Sequence, residues 1–260
     1  MPLNENELYD FLESKYLRYN QNTFIEKDPI SIPHGFAKKE DIEIAAFLIA
    51  TISWEQRVSI IKSGMKLMSM MDNAPHDFIL NHSTKDLKPF KTFVYRTFNG
   101  QDCIYFIKSL QNIYTNHQGI HQLFSNSISK KDNTIQPGII AFRKTFFEIK
   151  NAVRTEKHFS DPDKNSSSKR LNMFLRWMVR RDKYGVDFGL WNDIDPSKLL
   201  CPLDVHSGRV ARALGLVERK QDDWKAVIEL TDNLKKFDSK DPVKYDFALF
   251  GLGVFEGFGK

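Results

Sequence analysis

Apolar positions along this chain recur mainly at three- and four-residue spacing. Ile42, Ala45, Ala46, Ile49 and Ile52 form one stripe, and Val58, Ile61, Met65, Met68 and Met71 form a second. That period predicts helices with one face turned to a core. Between the stripes, Ser53-Trp54-Glu55-Gln56 has the form of a capping box, with Ser53 accepting the Gln56 amide and the Gln56 side chain reaching back. Further helices are predicted over 102–116, 119–128 and 137–155. After a polar loop over 160–168, a helix runs from Lys169 to about Arg181 and turns Leu171, Phe174, Leu175 and Met178 inward. A connector over 185–202 leads to a short helix that starts at Asp204 and ends near Leu214, with Gly215 as its C-cap. The last helices are predicted over 222–236 and 242–256. Strand-like alternation is sparse; its best case, 90–98 (FKTFVYRTF), is too short to found a sheet. The fold class is therefore all-α.

Composition narrows the setting. With 260 residues, 41% of them hydrophobic, the chain can bury a substantial core. No apolar run approaches the roughly 18 residues of a membrane span, and the N-terminus lacks the cationic and apolar pattern of a secretory signal. Cys103 and Cys201 are too few for a disulfide framework or a four-cysteine iron–sulfur site, which fits a reducing cytoplasm. The six scattered residues His34, His76, His82, His117, His121 and His158 have no metal-ligand spacing, and no phosphate-cradling or dinucleotide fingerprint occurs. Neither a metal nor a cofactor is expected. A net charge of +5 is compatible with a nucleic-acid partner, but the placement of the charge matters more.

Two helix starts concentrate the chemistry. Lys169 opens its helix opposite the apolar face, in line with Met173, Arg176 and Arg180 and flanked by Arg170, Trp177 and Arg181. This is either a solvated basic face or a site. The macrodipole disfavours a cation in a first turn, and a neutral amine is the nucleophilic form of lysine. Backbone amides there also suit a docking phosphate. Asp204 is an N-cap candidate whose carboxylate the same amides keep ionised, and His206, Arg209 and Arg212 crowd the turns after it. Taken alone, Asp204 is better explained as a plain cap.

The runs KRLNMFLRWM and PLDVHSGRVAR together resemble the helix-hairpin-helix DNA glycosylase superfamily, in which a Lys opens one helix and an Asp follows in a D-x-H segment. PLDVH (202–206) is similar to the segment of eukaryotic 8-oxoguanine glycosylases. Lys169 with Phe174-Leu175-Arg176 is similar to the archaeal and bacterial ones, and the stretch from Glu43 to Met65 to the N-terminal helix pair of endonuclease III. The chain as a whole also looks like an uncharacterised bacterial family of about this length. Two features depart from the superfamily pattern. The glycine-rich hairpin before the Lys is replaced by DPDKNSSS (161–168), and the Lys-to-Asp interval is lengthened, so that 182–200 reads as an insertion.

The resemblance implies a two-lobed helical bundle with a cleft between the lobes, about 40–155 in one and the N-terminal segment plus about 156–260 in the other. The implied activity is base excision with AP lyase action, possibly on 8-oxoguanine, by a monomer acting on double-stranded DNA that carries a damaged base. The damaged nucleotide swings out of the duplex; Asp204 assists deprotonation of Lys169 and stabilises the charge developing on the sugar, and Lys169 attacks the sugar. Ser168, Arg170, Arg176, His206, Arg209 and Arg212 are the phosphate-contact candidates. Trp54, Gln56 and Arg57 stand at the turn that probes DNA. Met173, Phe255 and Phe258 are candidates for the base pocket, where stacking on an extruded base is worth about 1–3 kcal/mol. Lys260 is matched to a terminal-lysine feature of one glycosylase class. Because the hairpin glycines are missing, a non-catalytic nucleic-acid-binding protein of the same fold is the alternative, and a helical scaffold with Asp204 as a plain cap is a third reading.

Overall fold

A computed structural model of the protein describes residues 3–150 and 153–259; the Lys260 match lies outside the described residues. The helices in chain order are α1 (Glu5–Tyr19), α2 (Asn22–Ile25), α3 (Lys39–Ile52), α4 (Arg57–Ser69), α5 (Pro75–Asn81) and α6 (Gly100–Asn116). They continue with α7 (Ile120–Ser127), α8 (Gln136–Phe146), α9 (Lys169–Val179), α10 (Val205–Ala213), α11 (Trp224–Lys235) and α12 (Asp246–Val254). Among the described residues, the strands are the two-residue β1 (Val94–Tyr95) and β2 (Phe98–Asn99), paired antiparallel. The fold is helical, and no helix is long and apolar enough to cross a membrane. By internal contacts the chain forms two compact units. One comprises Met1–Phe24, Asp132–Ile135 and Asp161–Lys260; the other comprises Ile25–Lys131 and Gln136–Ser160.

In the second of these units α3 is the central helix. Every residue from Ile42 to Ile52 is buried, so the predicted stripe understates its role. Even Glu43 is buried, held by the Tyr114 hydroxyl at 2.9 Å and by Lys39 at 3.7 Å. Phe47 meets Phe106, Phe142, Phe146 and Phe159 at centroid separations of 5.0–5.9 Å, the packed heart of this unit. The predicted stripe on α4 is partly out of phase. Met68 and Met71 are buried as predicted, but Val58 and Met65 are exposed, and Ile60, Gly64 and Leu67 are buried in their place. Gly64 explains the shift: a Cβ there would collide with Ile32 and Ile49, so the bare backbone is the surface of closest approach.

The Ser53 capping box does not form. Ser53 is the C-cap of α3 and its hydroxyl donates to Ile49 O, while Gln56 is the N-cap of α4 with no side-chain cap bond. The helix predicted to 155 ends at Phe146. Helix α1, which the apolar period did not mark, is framed by a capping box between Asn4 and Glu7.

In the other unit α12 packs on both α1 and α10. The glycines of its FGLGV run permit this: Gly251 lies under the Tyr19 ring, and a Cβ on Gly253 would stand 3.2 Å from His206 O. The phenylalanines of this tail serve α1 as well. Phe255 stacks on Tyr19 at 5.5 Å and Phe258 meets Phe11 at 6.1 Å.

Candidate functional site

Helix α9 starts from a hairpin whose backbone takes the conformations glycine would supply. Asn165 (φ 60) and Ser168 (φ 48) are both left-handed, a region that Asn tolerates best among residues with a Cβ. Asp161 caps the short 3₁₀ turn Pro162–Lys164, and the Asn165 side chain donates to Asp223 at 2.9 Å. Ser166 forms a bridge to Asp223, and the Asn172 amide donates to Ser167 O at 3.1 Å, tying the hairpin to the helix it precedes. Ser168 is buried within this turn and makes no side-chain cap.

Lys169 emerges from the hairpin as the first residue of α9, and its Nζ stands 3.4 Å from Asp204 Oδ2. Both side chains retain access to solvent, 27% and 32%. Asp204 divides its oxygens between two tasks. Oδ1 accepts the His206 amide at 2.9 Å and the Ser207 amide at 3.1 Å, while the Ser207 hydroxyl accepts the Asp204 amide at 2.9 Å to complete a capping box. Oδ2 is left facing Lys169. Burial acts to raise this carboxyl, but the Lys169 charge and the two amides outweigh it and hold it below its ordinary value. Asp204 is therefore an anion that is both a cap and a counter-charge.

The rest of the α9 basic stripe corrects the expectation. Arg176 is 4% exposed and Arg180 is fully buried, so neither belongs to a solvated face and Arg176 is not placed to clamp a phosphate. Arg176 Nε donates to Asp187 at 3.2 Å, its Nη1 pairs with Asp246, and its guanidinium lies 4.3 Å above the Phe247 ring. Arg180 bonds Asp187 at 3.1 Å, Asp182 at 2.7 Å, Asp241 at 2.9 Å and the Tyr16 hydroxyl at 3.0 Å. The physical reason is the 182–200 segment, which wraps the end of α9. Phe188 N donates to Trp177 O at 2.8 Å, Trp191 N donates to Met178 O at 3.0 Å, and the buried Trp191 ring meets Phe174 edge-on at 5.5 Å. The segment covers the helix and delivers Asp187 to it, so it is part of the core.

The remaining candidates divide. His206 is exposed, Arg209 is half-buried, and burial pushes the half-buried Arg170 down to about 10. Arg212 is committed to Asp222 and to Arg219 O, both at 2.7 Å. Met173 is half-buried on the Lys169 face of α9. Trp54, Gln56 and Arg57 belong to the other unit. There Trp54 stacks on His158 at 6.1 Å and its carbonyl accepts the Tyr95 hydroxyl, Gln56 is exposed, and Arg57 stands 3.7 Å from Asp28. Among the described residues, no group of three or more His, Cys, Asp or Glu is arranged to hold a metal ion.

Sequence reasoning overlooked Asp246 and Asp187. The signal was present in MFLRWMV, where an Arg with apolar neighbours on both sides demands a buried counter-charge. No curated protein and no solved structure matches the chain. A sequence model for a family described as "Protein of unknown function (DUF2400)" matches residues 28–255, most of the chain and all of the site, and the protein belongs to that family.

Proposed function

We propose that the protein is a DNA base-excision glycosylase with AP lyase activity. The observation that carries this reading is the pairing of Lys169 and Asp204 at 3.4 Å, each at a helix start and each open to solvent. A primary amine beside a carboxylate that stays ionised is suited to attack at C1′ of a deoxyribose. The base departs with the bonding electrons of the glycosidic bond, and Asp204 stabilises the positive charge that develops on the sugar. Ring opening converts the Lys169 adduct to an imine. Loss of a proton from C2′ then expels the 3′ phosphate by β-elimination. His206 and Arg209, beside Asp204, are the phosphate contacts this reading favours, and an oxidised purine such as 8-oxoguanine is the first substrate to try.

Borohydride trapping tests the proposal. Duplexes carrying an abasic site or 8-oxoguanine are expected to give a covalent adduct with the wild type and none with Lys169→Gln. Salt-dependent DNA binding without adduct or base release would overturn the catalytic reading in favour of a non-catalytic nucleic-acid-binding protein. No DNA binding at all would overturn both.

A further inference from the structure

The capping box at Asp204 has the opposite polarity to the other two among the described residues. In those, Asn4 with Glu7 on α1 and Asn99 with Asp102 on α6, a neutral Asn is the cap and the residue three on supplies the carboxylate. That is the motif's usual arrangement, a neutral cap answered by an acidic or amide side chain. On α10 the carboxylate belongs to the cap residue, Asp204, and the residue three on is Ser207, whose hydroxyl is neutral. Each box holds one carboxylate, and the inversion on α10 puts it where Lys169 meets it.

Ser207 also decides how that carboxylate is turned. Oδ1 accepts the His206 and Ser207 amides at 2.9 and 3.1 Å and lies 3.3 Å from the Ser207 hydroxyl. The hydroxyl accepts the Asp204 amide at 2.9 Å, so Ser207, itself only 3% exposed, grips Asp204 by main chain and side chain together. Oδ2 is left for Lys169 at 3.4 Å. The Lys169 side chain has no other hydrogen-bond or ion-pair partner among the described residues, and Ser168 puts no side-chain cap on α9. The geometry of the pair is therefore set from the Asp204 side.

We propose that Ser207 is a positioning residue for the lyase chemistry, an assignment that rests on the function proposed above: it aims Asp204 Oδ2 at the amine and completes the cap without a second negative charge. Ser207 acts through Asp204 and touches no substrate atom. Aim matters because a misplacement of about 1 Å can cost an enzyme on the order of a hundredfold in rate. Neutrality matters because a second anion beside Lys169 would stabilise the ammonium, which has no lone pair with which to attack. An acidic residue at 207, the choice made on α1 and α6, would serve the helix equally well and silence the amine.

The test uses the full chain and has two arms. In the first, borohydride-trapped adduct at an abasic site is followed against DNA concentration. Ser207→Ala is expected to lower the maximal rate by on the order of tenfold with the half-saturating DNA concentration unchanged, and Ser207→Thr, which keeps the hydroxyl, to recover most of it. Ser207→Asp is expected to unfold at the wild-type urea midpoint yet lose about tenfold in maximal rate at pH 7, regaining it as the pH rises. A structural role alone would spare the rate of Ser207→Asp. A wild-type maximal rate in Ser207→Asp or in a folded Ser207→Ala, or a loss confined to the half-saturating concentration, overturns the proposal. The second arm needs no DNA: the Asp204 carboxyl is titrated by carbon-13 NMR. It is expected below its ordinary range in the wild type and higher in Ser207→Ala, as the carboxylate turns away from Lys169 and the amides. An unmoved midpoint overturns the proposal. If the wild type forms no adduct, the lyase reading falls, and the titration decides separately whether Ser207 orients Asp204.

Discussion

The two ends of the α9 stripe put the same chemistry to opposite uses. At its start, Lys169 and Asp204 pair at 3.4 Å with about a quarter to a third of each side chain exposed. At its far end, Arg176 and Arg180 are sealed among Asp187, Asp182, Asp241 and Asp246 with almost no exposure. A solvated pair is weakly bound and can be opened by a competing ligand, which a reactive amine requires. A dry network cannot be opened without stranding a charge, which suits it to hold the helix in place. Sequence gives both ends one appearance, a Lys and two Arg at helical spacing; solvent access separates them.

The largest predicted effect comes from breaking the dry end. Asp187→Asn weakens a partner of both arginines at once and should cost about 3 kcal/mol in a denaturant titration, from two buried charge-assisted hydrogen bonds worth about 1.5–3 kcal/mol each. A loss below about 1 kcal/mol would show that the network does not hold α9. Next in size is a pH effect at Asp241, whose carboxyl burial pushes up to about 6 despite Arg180. A carboxyl raised on folding takes up protons between its unfolded value and its folded one, so it adds stability below about pH 4 and loses it as the pH rises to 6. Asp241→Asn should therefore compare best with the wild type at pH 7, and lose about 1–3 kcal/mol of that standing by pH 4. Urea midpoints across this range check it, and a constant difference refutes it. Asp204 has the opposite sign, since its lowered carboxyl contributes stability above its unfolded value that is lost as acid protonates the folded state.

The wet end should yield the smallest change. Asp204→Ala loses the cap of α10 and should cost about 1 kcal/mol, whereas Lys169→Gln should shift stability by less than about 0.5 kcal/mol. Thermal or urea unfolding distinguishes these. A Lys169→Gln loss as large as that of Asp187→Asn would mean that Lys169 is a structural residue, against the proposed function.

Much of the site was legible because its signals are local. The Asp204 cap needs only Ser207 three residues on, and the Asp204 helix ends at Ala213 with Leu214 as its C-cap, before Gly215 at φ +72, the left-handed stop that glycine favours. The hairpin was less legible. Its missing glycines suggested a departure, yet Asn165 and Ser168 reach positive φ because Asp223 and Asn172 hold the turn from outside it. The packing of 182–200 was illegible for a similar reason, since its Gly, Asp and Pro look like linker while Val186, Trp191 and Asp187 are buried.

By itself, then, the sequence determined the helical period, the Asp204 cap and the presence of Lys169 and Asp204 at two helix starts, because these depend on neighbours within a turn or so. Tertiary structure alone decided which cations are free to react. Arg176 bonds Asp187 eleven residues away and Asp246 seventy residues away. Whether a charge is wet or neutralised depends on what the fold places around it, and side-chain spacing along one helix carries no record of that.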